Sequence, residues 1–484
     1  MNGKEKVIGG GLSFDNVRLV PRYSDIHSRY NSEISTKTQI ALGGPEIELP
    51  IISSNMDTVT EARMAETMAL HGGIGIIHRF LSPEDQADEI RKVKERMRVI
   101  EDNPPMVSQR ATIQDALDLL SQRSRGYVLV YQGESFSGSI FGIATNRDFR
   151  AGNLDTPIHQ VMTPMEGLKS VPVGTTLEEA VSVMKQHRVE KIPVFKEDGT
   201  LVGVYTLKDS EYFQKHPQAS LDNKGRLMVG GAIGVHQDDI LRAHLLEEAG
   251  ADVIVLDIAH GHLQYTQDML STLINQEHIQ TPIIAGNIAT AEGAVYILDN
   301  GGKGVKVGIG PGFVCETRDV AGAGVPQVTA ILNVAEAFAK RQQAIPIIAD
   351  GGIRVPGDVA IAIGAGADAV MIGSIIAGTE ESPGEPVAVD GVLQKMVRGM
   401  ASRSAFERRE KLGNSTTQSD RYVPEGRTTF TPYKGKVGDV LRQLDGGLRS
   451  GMSYVGAHTI AEMKEAQLQE FPVGSHDQRR PLKT

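Results

Sequence analysis

Eight short runs rich in Ile and Val constrain the fold of this chain more than any other feature of its sequence. Each run is closed by Gly, Asn, Asp or Ser, and helical patterns such as 238–249 and 355–365 alternate with them. The runs occupy residues 49–56, 73–78, 227–234, 251–259, 282–288, 304–310, 346–352 and 369–374. Continuous apolar strands that alternate with helices are typical of a parallel sheet covered by helices. Eight such units predict an α/β fold, a (β/α)8 TIM barrel, rather than an open doubly wound sheet.

A long gap separates the second run from the third, and it contains a repeat of its own. The stretch Gly142-Ile-Ala-Thr145-Asn-Arg-Asp148 resembles Gly203-Val-Tyr-Thr206-Leu-Lys-Asp209, and a Thr-led helical pattern and a strand precede each copy. Two tandem copies of a small α/β unit indicate one inserted module. We therefore expect residues 1–100 and 220–484 to form the barrel and residues 101–219 to form the module.

Composition argues against several classes of partner. The chain carries 50 basic and 60 acidic residues, a net charge of -10, without a Lys/Arg run dense enough to follow a nucleic-acid backbone. Aromatic residues make up 5% and Trp is absent, which argues against base stacking on single strands. Apolar stretches stay below the roughly 18 residues that a membrane span needs. We expect a soluble, cytoplasmic protein with neither nucleic-acid nor membrane partners.

The single cysteine, Cys315, is the first candidate catalytic residue. One Cys excludes a disulfide framework and a Cys-based metal site. It lies in Gly308-Ile-Gly-Pro-Gly-Phe-Val-Cys315, directly after the sixth apolar run, and should reach the C-terminal face where barrel active sites are built. A glycine-rich loop with a thiol at its tip favours a nucleophile, and a packed core thiol is the alternative.

Several glycine-rich and polar segments occur together along the whole chain. They are the Cys315 loop with Ala321-Gly-Ala-Gly-Val-Pro-Gln327, the opening Leu12-Ser-Phe-Asp-Asn-Val, Asn55-Met-Asp-Thr-Val, Ala285-Gly-Asn287, Asp350-Gly-Gly and Gly446-Gly-Leu-Arg-Ser. Together they resemble the IMP dehydrogenase / GMP reductase family, in which an insert after the second barrel strand is also common. The resemblance implies a purine nucleotide oxidoreductase that uses a nicotinamide cofactor.

The resemblance also implies roles for individual residues. In the family a thiolate attacks C2 of the purine and hydride passes between C2 and the nicotinamide, so Cys315 would be the nucleophile. The other implied contacts are Asp350 with the ribose hydroxyls, Gly352, Gly373 and Ser374 with the 5'-phosphate, Ser54, Met56, Gly399 and Met400 with the base, and Asp257 and Asn287 with the nicotinamide. Plainer explanations stay open, because Ser374 suits a helix cap, Asp350 suits a turn, and methionines fill cores.

The inserted repeat resembles a tandem pair of cystathionine-β-synthase (CBS) domains, which implies regulatory nucleotide binding. In that family a Thr-x-x-Asp at a strand end holds a ribose and the helix that follows favours phosphate. Here the pairs Thr145/Asp148 and Thr206/Asp209 would bind ATP or GTP, whereas a Thr cap followed by Asp can also stabilise a helix without any ligand. Relatives assemble through such modules, so a homotetramer, or an octamer, is expected.

The direction of the reaction depends on the segment Ser419-Asp-Arg421-Tyr422-Val-Pro-Glu425. A family dehydrogenase converts IMP, water and NAD to XMP and uses an Arg-Tyr pair on a mobile flap to activate the water. Two residues between Tyr422 and Glu425 span at most about 7 to 10 Å, too little for that flap. We therefore expect a GMP reductase that converts GMP and NADPH to IMP and ammonia, with Thr317 and Glu425 handling the amine. IMP dehydrogenase with NAD is the alternative.

Three positions depart from the family pattern. Phe313 and Val397 stand where a Ser and a Tyr usually bind the phosphate, so an Arg or Lys from elsewhere would have to compensate. Glu316 next to the nucleophile disfavours a thiolate. These departures motivate a second alternative, a nucleotide sensor with little catalysis.

A monovalent cation is a further partner that the resemblance leaves open. In relatives, backbone carbonyls of the nucleophile loop bind the ion, and a C-terminal segment of a neighbouring subunit completes the site. Residues 474–477 would be that segment here, and the carbonyls that could hold K+ are those of Gly310, Gly312 and Cys315.

Overall fold

The computed structural model describes residues 9–30, 33–96, 99–121, 125–136, 139–411 and 422–471. The chain divides into two compact units. The first is built from Met1–Arg96, Gln218–Asp222 and Leu227–Thr484, and the second from Met97–Pro217 and Asn223–Arg226. Over the described ranges, no helix is both long enough and apolar enough to cross a membrane.

Short strands form the sheets of both units. In chain order they are β1 (Val17–Leu19), β2 (Thr38–Gln39), β3 (Glu46–Ile47), β4 (Ile51–Ser53), β5 (Ile74–Ile77), β6 (Met106–Ser108), β7 (Tyr127–Tyr131), β8 (Ile140–Thr145), β9 (Thr163–Pro164), β10 (Val171–Pro172), β11 (Lys191–Phe195), β12 (Leu201–Thr206), β13 (Val229–Ile233), β14 (Val253–Asp257), β15 (Ile283–Ile288), β16 (Gly304–Val307), β17 (Ile347–Asp350), β18 (Ala369–Ile372), β19 (Val387–Val389), β20 (Val392–Arg398), β21 (Thr428–Pro432) and β22 (Leu468–Glu470).

Helices alternate with the strands. They are α1 (Ala62–Leu70), α2 (Pro83–Arg96), α3 (Ile113–Ser121), α4 (Leu177–His187), α5 (Leu207–Gln214), α6 (Asp238–Glu248), α7 (Gln264–Ser271), α8 (Ala291–Asp299), α9 (Thr317–Val320), α10 (Gln327–Lys340), α11 (Pro356–Gly364), α12 (Arg403–Lys411), α13 (Val437–Val455) and α14 (Ile460–Met463).

The first unit is a closed parallel barrel, which confirms the predicted fold. Its strands follow the order β13-β14-β15-β16-β17-β18-β4-β5, and each of the eight predicted runs contains one of them. Ile76, Val255 and Ile348 are fully buried in the interior. The outer surface is covered by helices: a Cβ at Gly231 of β13 would lie 2.8 Å from the side chain of Leu246 in α6. Burial on both faces explains why the runs are continuously apolar.

A hairpin closes one end of the barrel. β2 and β3 pair antiparallel, and the hydrophobic core of the barrel includes Ile40 and Ile47 of this hairpin, both fully buried. The amide of Leu42 donates to the carbonyl of Lys303, directly before β16, at 2.7 Å. The hairpin therefore covers the end where the strands begin. Ligands must approach the opposite end, where the strands finish.

A small sheet follows the last barrel strand. β20 lies between β19 and β21 and pairs antiparallel with both. Helix α12 follows β20, and the chain returns through Glu425 and Gly426 into β21. Gly426 forms isolated bridges with Cys315 and Ser402. This sheet therefore brings its own loops to the Cys315 loop.

The second unit contains two copies of one arrangement. In the first, β6 pairs parallel with β7, β7 pairs antiparallel with β8, and α3 lies between β6 and β7 in the chain. In the second, β10, β11 and β12 repeat that order with α4. Each copy has a hydrophobic core, around Ile113 and Val128 in the first and around Met184 and Ile192 in the second. The similarity in sequence thus corresponds to similarity in structure.

Candidate active site

Polar residues of four neighbouring barrel strands converge at the open end of the barrel. The Lys306 ammonium in β16 lies 2.6 Å from Oδ1 of Asp257, which ends β14, and 2.6 Å from Oδ2 of Asp350, which ends β17. It also contacts Oδ1 of Asn287 in β15. Nδ2 of Asn55 donates to Oδ2 of Asp257 at 2.8 Å. We call these five residues the Lys306 network.

Lys306 and Asn55 are buried, the other three residues of the Lys306 network are half-buried, and the charges of the network stabilise one another. Lys306 is 2% exposed. Burial acts to lower the pKa of Lys306, but Asp257 and Asp350 outweigh it and hold the pKa above the usual range. Burial likewise acts to raise the pKa of Asp257, but Lys306 and Asn55 hold it below the usual range. Lys306 and Asp257 therefore stay ionised.

Lys306 was not predicted from the sequence, although its three neighbours Asp257, Asn287 and Asp350 were. The signal was a charged residue inside the apolar strand Gly304–Val307. Lys is almost never fully buried unless it is paired. A lone Lys in such a strand therefore indicates carboxylates on adjacent strands.

The Cys315 loop, residues 308–318, turns back so that its thiol is partly exposed. The amide of Cys315 donates to the carbonyl of Gly312 at 3.1 Å, and Sγ lies 3.2 Å from Oγ1 of Thr317. Gly310 has φ +83°, and a Cβ there would lie 2.6 Å from the side chain of Arg318. Glycine is therefore required at position 310 for both its backbone angle and its close contact. The structure brings the predicted nucleophile and Thr317 together.

Main-chain hydrogen bonds join Glu425 to the Cys315 loop. The amide of Glu316 donates to the carbonyl of Glu425 at 2.7 Å, and the amide of Glu425 donates to the carbonyl of Ala401 at 3.1 Å. The amide of Gly399 donates to the carbonyl of Arg427 at 3.0 Å. Glu425, which was predicted to act with Cys315 and Thr317, therefore lies beside the loop that carries the thiol.

Gly399 and Met400 also belong to this region. A Cβ at Gly399 would lie 2.8 Å from the carbonyl oxygen of Val314, so the two segments can approach this closely only with glycine at 399. Met400 is half-buried. The predicted base-contacting residues at 399 and 400 are thus next to the Cys315 loop.

The predicted base and phosphate residues of β4 and β18 also meet. A Cβ at Gly373 would lie 3.1 Å from Sδ of Met56 and 3.6 Å from Cβ of Ser54. Gly352 has φ +86°, and a Cβ there would lie 3.1 Å from the ring of Phe14. Glycine at 373 therefore lets the loop after β18 approach the loop after β4 closely, and glycine at 352 lets the loop after β17 approach Phe14.

The chemistry of Asn55, Asp257 and Asn287 fits the carboxamide of a nicotinamide. A carboxamide needs both a hydrogen-bond acceptor and a donor, and the two asparagines and the carboxylate supply both kinds of group. Asn287 donates from Nδ2 to the carbonyl of Gly308 at 2.7 Å and to Asp350 at 3.0 Å. These contacts fix the orientation of its amide.

Phe313 and Val397 are the two positions of the phosphate region that depart from the family pattern. Phe313 is 53% exposed, the guanidinium of Arg427 lies 4.9 Å from its ring centre, and Nη2 of Arg427 donates to its carbonyl at 3.0 Å. Val397 is fully buried. Neither side chain offers a polar group to a phosphate.

A second charged cluster, also not predicted, anchors the segment before the Arg-Tyr pair. The Asp57 carboxylate is fully buried and accepts from Nε of Arg398 at 3.1 Å and from Nη1 of Arg408 at 3.0 Å. Arg398 ends β20 and Arg408 lies in α12. Asp57 therefore holds α12 against the loop that contains Ser54 and Met56.

In the second unit the two predicted nucleotide-binding pairs differ. Asp148 accepts at Oδ2 from the amide (2.7 Å) and the hydroxyl (2.8 Å) of Thr145, and both residues are half-buried. Thr206 caps α5 by accepting from the amide of Asp209 at 3.2 Å. The Asp209 carboxylate, however, is buried and accepts from Nη1 of Arg125 at 2.9 Å. Arg125 therefore occupies the second carboxylate, and no such cation contacts Asp148 within the described residues.

Only part of the predicted K+ site lies within the described residues. Residues 474–477 lie outside the described residues, and the carbonyl of Gly312 is engaged by the amide of Cys315. Within the described residues, no group of three or more His, Cys, Asp or Glu side chains is placed to hold a metal ion.

The chain is similar to known proteins over nearly its whole length. The IMP dehydrogenase / GMP reductase domain matches residues 11–476. Inosine-5'-monophosphate dehydrogenase of Nitrosopumilus maritimus is 43% identical over 461 residues, 94% of each protein. A cysteine-to-alanine variant of Trypanosoma brucei GMP reductase in complex with guanosine 5'-monophosphate has a TM-score of 0.84 and 40% identity, covering 99% of this chain and 100% of that one. The complex of that reductase with guanosine 5'-triphosphate has a TM-score of 0.75 and 38% identity, covering 97% and 99%.

A closed barrel with a thiol-bearing loop at its open end, together with these similarities, defines an oxidoreductase of purine nucleotides that uses a nicotinamide cofactor. The chain belongs to the IMP dehydrogenase / GMP reductase family. The family predicted from its motifs is therefore confirmed.

The predicted direction of the reaction is wrong. Curated relatives at 42–43% identity over 94–95% of the chain are named inosine-5'-monophosphate dehydrogenase, which overturns the expectation of a GMP reductase that uses NADPH. The spacing argument counted only the two residues after Tyr422. In the structure the Tyr422 ring stacks on Phe406 at 4.1 Å, and its hydroxyl donates to the carbonyl of Ala401 at 2.7 Å. Tyr422 thus reaches the loop beside Glu425 without a longer connection; Arg421 lies outside the described residues.

Replacing Lys306 with Met should destabilise the barrel strongly. The change leaves the half-buried Asp257 and Asp350 without their buried cation, and removal of one partner of a buried ion pair costs up to about 3–5 kcal/mol. The urea midpoint, followed by circular dichroism, should fall accordingly. Lys340→Met is the control, because Lys340 pairs with Glu336 at 2.7 Å on the exposed surface of α10 and its replacement should leave the midpoint nearly unchanged. Equal midpoints for the two variants would contradict the role of Lys306.

Proposed function

We propose that this protein is an IMP dehydrogenase, which oxidises IMP to XMP with NAD and water. The observation that carries the covalent chemistry of this proposal is the contact between the Cys315 thiol and the Thr317 hydroxyl in a loop bonded to Glu425. Relatives that are 42–43% identical over nearly the whole chain are named dehydrogenases, which supports oxidation of IMP as the direction of the reaction.

IMP would bind across the open end of the barrel. Both protein contacts of the Asp350 carboxylate use Oδ2, so within the described residues Oδ1 is available to the ribose hydroxyls. The phosphate would bind the main-chain amides of Gly352, Gly373 and Ser374. The purine would lie on Ser54, Met56, Gly399 and Met400.

Cys315 would form the covalent bond to the substrate. Its thiolate adds to C2 of the hypoxanthine, and the Thr317 hydroxyl at 3.2 Å from Sγ can stabilise the charged sulfur by donating a hydrogen bond. A nicotinamide held by Asp257 and Asn287 would supply the acceptor for the hydride of C2. The product of this step is a thioimidate between Cys315 and the purine.

Hydrolysis would then release XMP. Water adds its oxygen to C2, the C2–S bond breaks and returns the Cys315 thiolate, one proton of the water stays on the purine, and the other leaves through Thr317 and Glu425. Burial raises the pKa of the Tyr422 hydroxyl, so Tyr422 stays protonated and keeps its bond to Ala401. In this way Tyr422 would hold the Glu425 segment in place.

The cofactor would lie on the side of the Lys306 network. Asn55, Asp257 and Asn287 present the groups that a carboxamide needs, and Lys306 orients both carboxylates by pairing with them. NAD is the proposed cofactor because it belongs with the dehydrogenase reaction.

The second unit would bind ATP or GTP as a pair of CBS domains. The proposal is supported by its two-copy fold and by the structural similarity to a reductase in complex with guanosine 5'-triphosphate. The Thr145/Asp148 pair is the better candidate, because the Asp209 carboxylate already pairs with Arg125. A homotetramer, or an octamer, is the proposed assembly.

Purified protein should produce NADH from IMP and NAD, measured as a rise in absorbance at 340 nm, and XMP should form in equal amount by liquid chromatography. A parallel reaction with GMP and NADPH is the control and should show no consumption of NADPH. Oxidation of NADPH with GMP, but no reaction with IMP, would contradict the proposed direction. No turnover with either pair would contradict an enzymatic function.

Cys315→Ala should lower turnover at least about 1,000-fold, because the covalent step is lost, while IMP binding by calorimetry should persist. Intact-mass spectrometry of enzyme quenched during turnover should reveal the purine adduct in the parent protein and not in this variant. Thr317→Val is the matched control: it keeps the thiol and should form the adduct, with turnover about 100-fold lower. Full activity of Cys315→Ala would rule out the covalent mechanism.

GTP should change turnover at a higher concentration in Asp148→Ala than in the parent protein. The GTP concentration that produces half of this effect should rise about tenfold or more, because hydrogen bonds from the ribose to a charged carboxylate contribute about 1.5–3 kcal/mol. Asp115→Ala is the matched control, since Asp115 accepts from the amide (2.8 Å) and hydroxyl (2.9 Å) of Thr112 with nearly the same geometry. Equal responses of the two variants would mean that Asp148 only caps its turn.

A further inference from the structure

Lys434, two residues after β21, reaches the turn that follows β18. Its ammonium donates to the carbonyl oxygens of Ser374 at 2.7 Å and Ile375 at 3.0 Å. Its main-chain amide donates to the carbonyl of Gly378 at 2.9 Å. The segment after β21 is therefore bonded to both ends of the turn formed by residues 373–378.

These bonds leave one side of the turn available. The amides of Ile376 and Ala377 both donate to the carbonyl of Gly373 at 3.0 Å. The amides of Ser374 and Ile375 donate to no protein acceptor within the described residues. Lys434 satisfies the carbonyls on one side of the turn, and the amides of the same two residues keep a donor without a protein acceptor within the described residues.

The charge of Lys434 has no carboxylate partner within the described residues. The charged groups of the surrounding elements are engaged elsewhere: Glu380 with Arg63 of α1, Glu381 with the amide of Val437, and Lys395 of β20 with the carbonyls of Thr379 and Ser382. Burial alone lowers the pKa of Lys434 to about 8. A partly buried cation without a counter-charge favours the binding of an anion.

We propose that Lys434 is the positioning residue and the counter-charge for the 5'-phosphate of the purine nucleotide. It would replace the polar groups that Phe313 and Val397 lack. The inference rests on the proposed phosphate contacts of Gly373 and Ser374 and adds the cation that they would need.

If Lys434 is the counter-charge of the phosphate, the affinity for IMP should depend on pH in a defined direction. An ammonium with a pKa of about 8 is charged below pH 8 and neutral above it. A nucleotide phosphate, with a second pKa of about 6, stays dianionic throughout this range. The dissociation constant for IMP should therefore rise as the pH increases through 8. Lys434→Arg stays charged to above about pH 12 and should remove this rise.

Calorimetric titration of the Cys315→Ala protein tests the inference without turnover and without a titrating thiol. Lys434→Met in that background should weaken IMP binding about tenfold or more and change inosine binding, which lacks the phosphate, by less than about twofold. Lys395→Met is the matched control, because Lys395 also donates to two carbonyls, those of Thr379 and Ser382, but at the far end of the segment. It should leave the preference for IMP over inosine unchanged.

The outcomes separate the inference from the proposed function. Equal binding of IMP and inosine to the Cys315→Ala protein would mean that the phosphate site itself is absent. A preference for IMP that survives in Lys434→Met, or that is constant between pH 7 and 9.5 in the protein with Lys434, would overturn the role of Lys434 alone. If Lys434→Met does not fold, the pH series and Lys434→Arg decide the question.

Discussion

The Lys306 ammonium between Asp257 and Asp350 is the interaction on which the arrangement of the site depends. Three barrel strands contribute these charges, and Asn287 on a fourth joins them. A buried cation shared by two carboxylates holds each in one orientation, since rotation of either would leave a charge unpaired. The groups that would contact ribose and nicotinamide are thus oriented by the barrel and not by its loops, which have more freedom.

The barrel could be predicted from the sequence because it depends on local patterns, whereas the candidate site residues were named from the resemblance to a family. Strand-length apolar runs at regular intervals predict a parallel barrel, and polar residues directly after such runs must meet at one end. The predicted Asp257, Asn287 and Asp350 do so. Lys306 and Asp57 were not predicted. A charged residue within a buried segment pairs with residues far away in the chain, and the local sequence does not identify those partners.

The direction of the reaction could not be inferred from chain spacing. Two residues between Tyr422 and Glu425 suggested a missing flap, but position in space depends on packing, and Tyr422 is held by Phe406 and Ala401. The paired motifs of the second unit also show that contacts depend on packing. Thr145/Asp148 and Thr206/Asp209 match in sequence, yet a half-buried Arg125 contacts only the second of these two carboxylates. Equivalent motifs do not guarantee equivalent sites.

The charges of the Lys306 network have a consequence for how a nucleotide can enter. Two carboxylates and one ammonium sum to one negative charge at this part of the open end. A phosphate dianion is repelled there, whereas the turn after β18 offers free amides and the ammonium of Lys434. On the proposed contacts, a mononucleotide would meet an electrical polarity before it makes any contact, which would favour entry with the sugar towards Asp350 and the phosphate towards β18. The barrel would thus select one orientation of its ligand during approach.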